Sequence, residues 1–178
     1  MQIKTQQGVG LLEVLVALML LSIAVLGFVA LQLRAVEATS EGFNRIQAMN
    51  VARDLAEKIR MNNNADALSA YQDILRNNTA TSQANSTGGT CYTSSCAPAE
   101  KARSDVRESF QQANQAGMTL NMIDCPATKS GRQCIYVAWG KTQPTDTTVS
   151  DSTSACTRST GSSFSYEDNS TCIVMEAY

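Results

Sequence analysis

Gly8-Val9-Gly10-Leu11-Leu12-Glu13, continued by Val14-Leu15-Val16-Ala17-Leu18, is the stretch on which the reading of this 178-residue chain turns. From Val14 to Leu33 there are twenty residues without a charge. At about 1.5 Å per residue a helix of that length spans about 30 Å, the hydrocarbon thickness of a bilayer. Lys4 on the near side favours a cytoplasmic N-terminus with the remainder outside, although Arg34 on the far side weakens that count. A secretory signal has a shorter apolar core ending in a small-x-small cleavage site, and Gly27-Phe28-Val29-Ala30 offers none. A plain membrane anchor explains the length of the run but not Glu13. A carboxylate at the edge of an apolar helix is costly and calls for a partner.

The helical pattern continues beyond the apolar run. Phe43, Ile46, Met49, Ala52, Leu55, Ala56 and Ile59 recur at three- and four-residue steps, which predicts an apolar stripe. The opposite face carries Arg45, Arg53, Asp54, Glu57, Lys58 and Arg60, with Arg53/Glu57 and Asp54/Lys58 spaced to pair along the helix. Asn62-Asn63-Asn64 ends the pattern, so one helix of about 80 Å is expected from Val9 to about Met61. Its first half is apolar all round and its second half is amphipathic. Gly27, deep in the first half, permits close helix approach or marks a weak point where the helix melts.

Six cysteines outside the apolar run read as up to three disulfides, which need a periplasm or the cell exterior. Of the fifteen possible pairings, the neighbour pairing is the one adopted here: Cys91 with Cys96, Cys125 with Cys134, Cys156 with Cys172. Each closed loop constrains the unfolded chain by about 2–3 kcal/mol. Asp66–Leu75 is expected to be a short helix. In residues 77–96, Ser, Thr, Asn and Gly fill 14 of 20 positions, which predicts a loop. Pro98 opens a further helix with Ala102, Val106, Phe110 and Ala113 on one face and Gly117 as its stop. Met118, Leu120 and Met122 alternate with polar residues, and Ile135, Val137 and Trp139 alternate with Tyr136 and Ala138, as strands do. Thr142–Thr171 is polar, with Ser or Thr at 16 of 30 positions, and reads as loop before a last strand at Cys172–Ala177. These loops are surface filler or a recognition surface.

The chemistry of catalysis is sparse. Without histidine there is no His-based triad and no His metal site. Gly88-Gly89 reads as a turn rather than a phosphate loop. Asp146, Asp151 and Asp168 lack the alternation of a calcium loop and read as solvated acids. The Asn-x-Ser/Thr triplets at Asn77, Asn85 and Asn169 are expected by chance in tracts this rich in Ser and Thr. Fourteen scattered basic residues against a net charge of −2 give no nucleic-acid footprint. No enzyme activity, catalytic residue, metal or cofactor is expected, and no nucleic-acid partner.

The quoted start resembles the cleavage motif of type IV pilin precursors. That resemblance implies that a prepilin peptidase cuts after Gly8, leaving Met1–Gly8 as the leader and Val9 as a free, N-methylated terminus. The usual first mature residue in that family is Phe or Met, where this chain has Val9. Glu13 becomes the fifth mature residue, its carboxylate facing the α-amino group of a neighbouring subunit's Val9 in the filament core. Leu21–Gly27, Leu31-Gln32 and Asn50–Asn62 look like the minor pilins of the PilV type, with Cys91, Cys96 and Pro98-Ala99-Glu100 extending the likeness.

By the same resemblance the fold is α+β, a pilin fold with a long N-terminal helix packed on a small antiparallel sheet with disulfide-closed loops. The parts are the leader (1–8), a transmembrane and filament-core half-helix (9–33), an amphipathic half-helix (34–62) and a globular head (63–178). The implied function is a minor pilin that helps prime pilus assembly at the inner membrane and sits at or near the tip. It first holds its head in the periplasm and then joins the extracellular pilus. Its partners would be other minor pilins, the major pilin and a tip adhesin, in the service of adhesion and twitching motility. A minor pseudopilin of type II secretion shares this kind of start. A single-span anchored periplasmic binding domain is the rival from another class; it would keep Met1–Gly8 and have no use for Glu13.

Overall fold

The computed structural model describes residues 9–76, 91, 95–126, 128, 131–147, 154–161 and 163–178, and of Val9 the backbone alone. Met1–Gly8, the Asn77 and Asn85 triplets, Gly88-Gly89 and Asp151 lie outside the described residues. Helix α1 runs unbroken over Val9–Met61, 53 residues. The chain divides into two compact units, one ending at Phe43 and one formed by Asn44–Tyr178.

In the second unit the helix buries Ala48, Val51, Ala52, Leu55, Ala56 and Ile59. This corrects the expected stripe. Ala52, Leu55, Ala56 and Ile59 belong to the core, but Ile46 and Met49 are 61% and 44% exposed, as is Phe43 at 59% in the first unit. On a 100° wheel those three point away from Leu55, and the short side chains of Ala48 and Val51 take the inward places. The expected Arg53/Glu57 pairing also gives way, because Glu57 meets Arg60 at 3.0 Å. Asp54 pairs with Lys58 at 2.8 Å.

Three asparagines end one helix and start the next. The Asn62 side chain donates to the Pro98 carbonyl at 2.8 Å, while the Asn64 side chain accepts the Asp66 N–H at 2.9 Å. The latter is the N-cap bond that helix α2, Ala65–Arg76, lacks within itself. Helix α3, Pro98–Gln115, opens with proline, and its Glu100 carboxylate accepts the Ala97 N–H at 3.1 Å. Gly117 ends it at φ +69°, a left-handed turn that any Cβ would strain. Its Ala102, Val106, Phe110 and Ala113 are buried together with Ala67, Tyr71 and Leu75 of α2.

Strands β1 (Met118–Asp124), β2 (Gln133–Trp139) and a last strand (Cys172–Glu176) form an antiparallel sheet with β2 in the centre. Leu120, Met122, Ile135 and Val137 of this sheet join the helices in the main core. The polar tract read as loop is where the fold departs from expectation. Within it lie β3 (Gln143–Thr147), β4 (Ala155–Thr160) and β5 (Ser163–Tyr166) of a second sheet, β3 parallel to β4 and β4 antiparallel to β5. The last strand is therefore β6.

The second sheet lies over the far face of the first, and every residue of β2 is buried as a result. A smaller core forms there from Tyr136, Ala138, Cys125, Cys134, Cys156 and Cys172. The period of two gave no signal in β3 and β4, where polar residues fill both faces, and in β5 only Phe164 and Tyr166 alternate with serine, too short a run to read as a strand. What holds these strands is polar and covalent: the Tyr136 hydroxyl meets the Thr157 hydroxyl at 3.1 Å, and Thr157 donates to Asp146 at 2.6 Å. Disulfides join Cys91 to Cys96, Cys125 to Cys134 and Cys156 to Cys172, the last linking β4 to β6.

Leu55→Ala should lower the stability of the head by about 3 kcal/mol, whereas Ile46→Ala should change it by less than about 0.5 kcal/mol. Denaturant unfolding followed by the fluorescence of Trp139, in detergent micelles, compares the two. Burial pushes the Tyr136 phenol up to about 12, against the Thr157 hydrogen bond that lowers it. The neutral form is favoured in the fold, so stability is full below the ordinary tyrosine value and falls as pH rises through it towards 12. Melting temperatures measured from pH 8 to 11 should fall less steeply in Tyr136→Phe.

Candidate assembly interface

The described part of the first unit is a helix with no inside. Leu11, Leu12, Leu15, Leu18, Leu20, Ile23, Leu26, Phe28, Leu31 and Leu33 are all exposed, on every side of α1. An 18-residue window reaches a mean hydropathy of 2.9 with none of it buried. Among the described residues this is the one helix long and apolar enough to cross a membrane. A soluble protein does not leave so much contiguous apolar surface in water, so something outside this unit must cover it.

The polar groups in and beside the apolar run divide into satisfied and unsatisfied. Ser22 donates to the Leu18 carbonyl at 2.8 Å, and Thr39 to that of Ala35 at 2.8 Å, so each hydroxyl is closed within the helix. At the border Arg34 meets Glu37 at 3.2 Å. Glu13 differs. It borders a shallow apolar groove with Leu12, Val16, Ala17 and Leu20, all exposed. A carboxylate among leucines carries a charge that only a donor brought from elsewhere can offset in a dry setting.

Val9 opens the helix, four residues before Glu13, and Gly8 lies outside the described residues. The helix passes through Gly27 without interruption, and a Cβ added there would meet nothing within 4 Å. Among the described residues no neighbour therefore explains that glycine. Val9, Glu13 and Gly27 all lie on α1, and the six cysteines lie in the head.

The head contributes a clamp that local pairing along α1 only half announced. Lys58, with its side chain 14% exposed, reaches Asp54 at 2.8 Å and Glu108 of α3 at 3.2 Å. Burial opposes its charge, yet the two carboxylates hold the ammonium above its ordinary value. A second tie runs through Tyr71, which donates to the buried Asp105 carboxylate at 2.6 Å; Lys101 meets the same carboxylate. Burial, and then Asp105, push the Tyr71 phenol well up. Asp54–Lys58 spacing was the sequence signal for the first clamp. Nothing in the pattern signalled the second, because Tyr71 and Asp105 meet only through tertiary packing. Asp146 is held by Thr157, and Asn169 sits in a turn at φ 63°. Among the described residues no three acidic or cysteine side chains gather as a metal site would require.

Two family descriptions match consecutive stretches of the chain: the prokaryotic N-terminal methylation motif over residues 3–29, and type IV pilin Tt1218 over residues 30–107. No curated protein and no solved structure matches it. The methylation motif covers the helix start with Val9 and Glu13, and the pilin match runs from the apolar run through α2 into α3. Such a motif on an exposed apolar helix fits a membrane-anchored subunit that is processed by a prepilin peptidase and then enters a pilus. With a long helix packed on a small antiparallel sheet and a head closed by three disulfides, these two matches over residues 3–107 support a type IV pilin.

Proposed function

We propose that this chain is a minor pilin of the PilV type, which helps to prime pilus assembly at the inner membrane and sits at or near the pilus tip. Glu13 carries the reading: it is a carboxylate in an exposed apolar helix whose own side chains offer it no counter-charge. Cleavage after Gly8 supplies one, because the new α-amino group of Val9 is a cation at the same end of a neighbouring helix. In the low dielectric of bundled helices such a pair sets the axial register of one subunit against the next, and any other register leaves a buried charge alone. The apolar surface first lies in lipid, with the head in the periplasm, and then against other minor pilins and the major pilin. Gly27 weakens the helix by about 1 kcal/mol relative to alanine, and it serves as the point where α1 yields as it leaves the bilayer.

The minor rather than major role is supported by the likeness of Asn50–Asn62 to the PilV type. That segment holds the buried Leu55 and Ile59 and the Lys58 clamp, and it anchors a head whose polar second sheet faces outwards. At a tip this head would meet the other minor subunits and an adhesin. The role is structural, in adhesion and twitching motility, with no reaction of its own.

Mass spectrometry of the N-terminus is the first test. The expected species lacks Met1–Gly8 and carries a methyl group on Val9; an intact leader would overturn the reading in favour of a plain anchor. Glu13→Ala should leave the chain cleaved and membrane-bound but lower its amount in sheared filaments by about tenfold or more. Wild-type incorporation of that variant would refute the registry role. Co-purification of the full chain with minor pilins supports the pilus, whereas recovery with secretion-system subunits instead would move it to the pseudopilins.

A further inference from the structure

We infer that the β4–β5 hairpin is a strap that closes the outer edge of β6, one of the two edges of the main sheet, at Val174 against strand addition by a second copy of this chain. The inference stands on the head alone and is independent of which filament the chain joins.

The backbone ladder identifies the group at risk. Ala177 donates its N–H to the Gln133 carbonyl at 2.8 Å, and Trp139 donates to that of Thr171 at 3.0 Å. Bonded pairs alternate along an antiparallel ladder. With Val137 opposite Ile173 and Ile135 opposite Met175, those two residues of β6 bond to β2, and the N–H of Val174 between them turns outwards. An outward N–H on an edge strand is a template for another chain. A strand lying antiparallel beside its own copy meets the same groups across a two-fold axis, so an identical chain is the natural occupant.

In this fold Tyr166 stands at that position. Its hydroxyl oxygen accepts the Val174 N–H at 3.3 Å. The hairpin that delivers it is tied at several points. Glu167 donates its N–H to the Cys156 carbonyl at 3.1 Å, which fixes the register that sets Tyr166 opposite Thr157. Arg158 grips the Glu167 carboxylate with two bonds of 2.6 Å. The Cys156–Cys172 disulfide then fastens β4 to β6 two residues from Val174. One edge strand of the second sheet, β3, is blunted differently: its Pro144 has no N–H to offer, and the Pro144 carbonyl accepts the Asn121 amide at 2.8 Å.

The test is residue-resolved amide exchange on the full chain in detergent micelles, first with one chain per micelle and then with several. Tyr166→Phe keeps the ring and removes the hydroxyl. Exchange at Val174 should quicken by about fivefold to tenfold, with Ile173 and Met175 unchanged, and crowding should restore protection at Val174 as copies pair. An unchanged Val174, or an equal rise at all three amides, would overturn the strap. Protection that does not return on crowding would overturn the second copy as the occupant.

Discussion

Everything in this molecule answers to one constraint: a length of apolar helix that the unit containing it does not cover. Leu11 to Leu33 are exposed on all sides, and burying even one such side chain is worth about 1.5–3 kcal/mol. Lipid satisfies this surface, and so does a bundle of like helices. The second solution needs register, and hydrophobic contact alone is too indifferent to sliding to provide it. In the function proposed here Glu13 would provide what leucine lacks, because a buried charge is tolerated in one place only, opposite its partner. Ser22 and Thr39 show the contrast: both are polar, both are closed on the helix's own carbonyls, and neither asks anything of a neighbour.

The same helix has a second obligation from Ala48 onwards, where it becomes part of the head's core. Ala48, Val51, Ala52, Leu55, Ala56 and Ile59 face inwards, and Lys58 fastens α1 to α3 through Glu108. Beyond the core the composition changes to Ser, Thr and Asn, which bury poorly. The head compensates with cross-links: three disulfides and a chain of hydroxyls from Tyr136 through Thr157 to Asp146. A polar tract can thus be held as a sheet over another sheet without an apolar face of its own.

This division explains what could be read from the sequence. The long helix, its end at the three asparagines, the helix opened by Pro98 and the strands around Leu120 and Val137 all follow from patterns with a single period. The inward face of α1 was harder, because Phe43, Ile46 and Met49 share helical spacing with the core residues yet point elsewhere. Large apolar residues on two faces of one helix cannot be sorted without knowing that one face serves the head. Strands β3 and β4 left no trace in hydropathy and β5 only the brief alternation of Phe164 and Tyr166 with serine, since their order comes from hydroxyl pairs and a disulfide. The Tyr71–Asp105 tie was invisible because its partners are 34 residues apart. Glu13 stood out for the opposite reason, being a single violation in an otherwise uniform run.

The central claim is that the apolar half of α1 exchanges lipid for other subunits. It is tested most directly by a photo-cross-linking side chain placed at Leu20, in cells that carry filaments. The account predicts adducts with lipid in the membrane fraction, and adducts with the N-terminal helices of other pilin-type subunits in sheared filaments. Adducts with lipid alone in both fractions, or with this chain's own head, would contradict it.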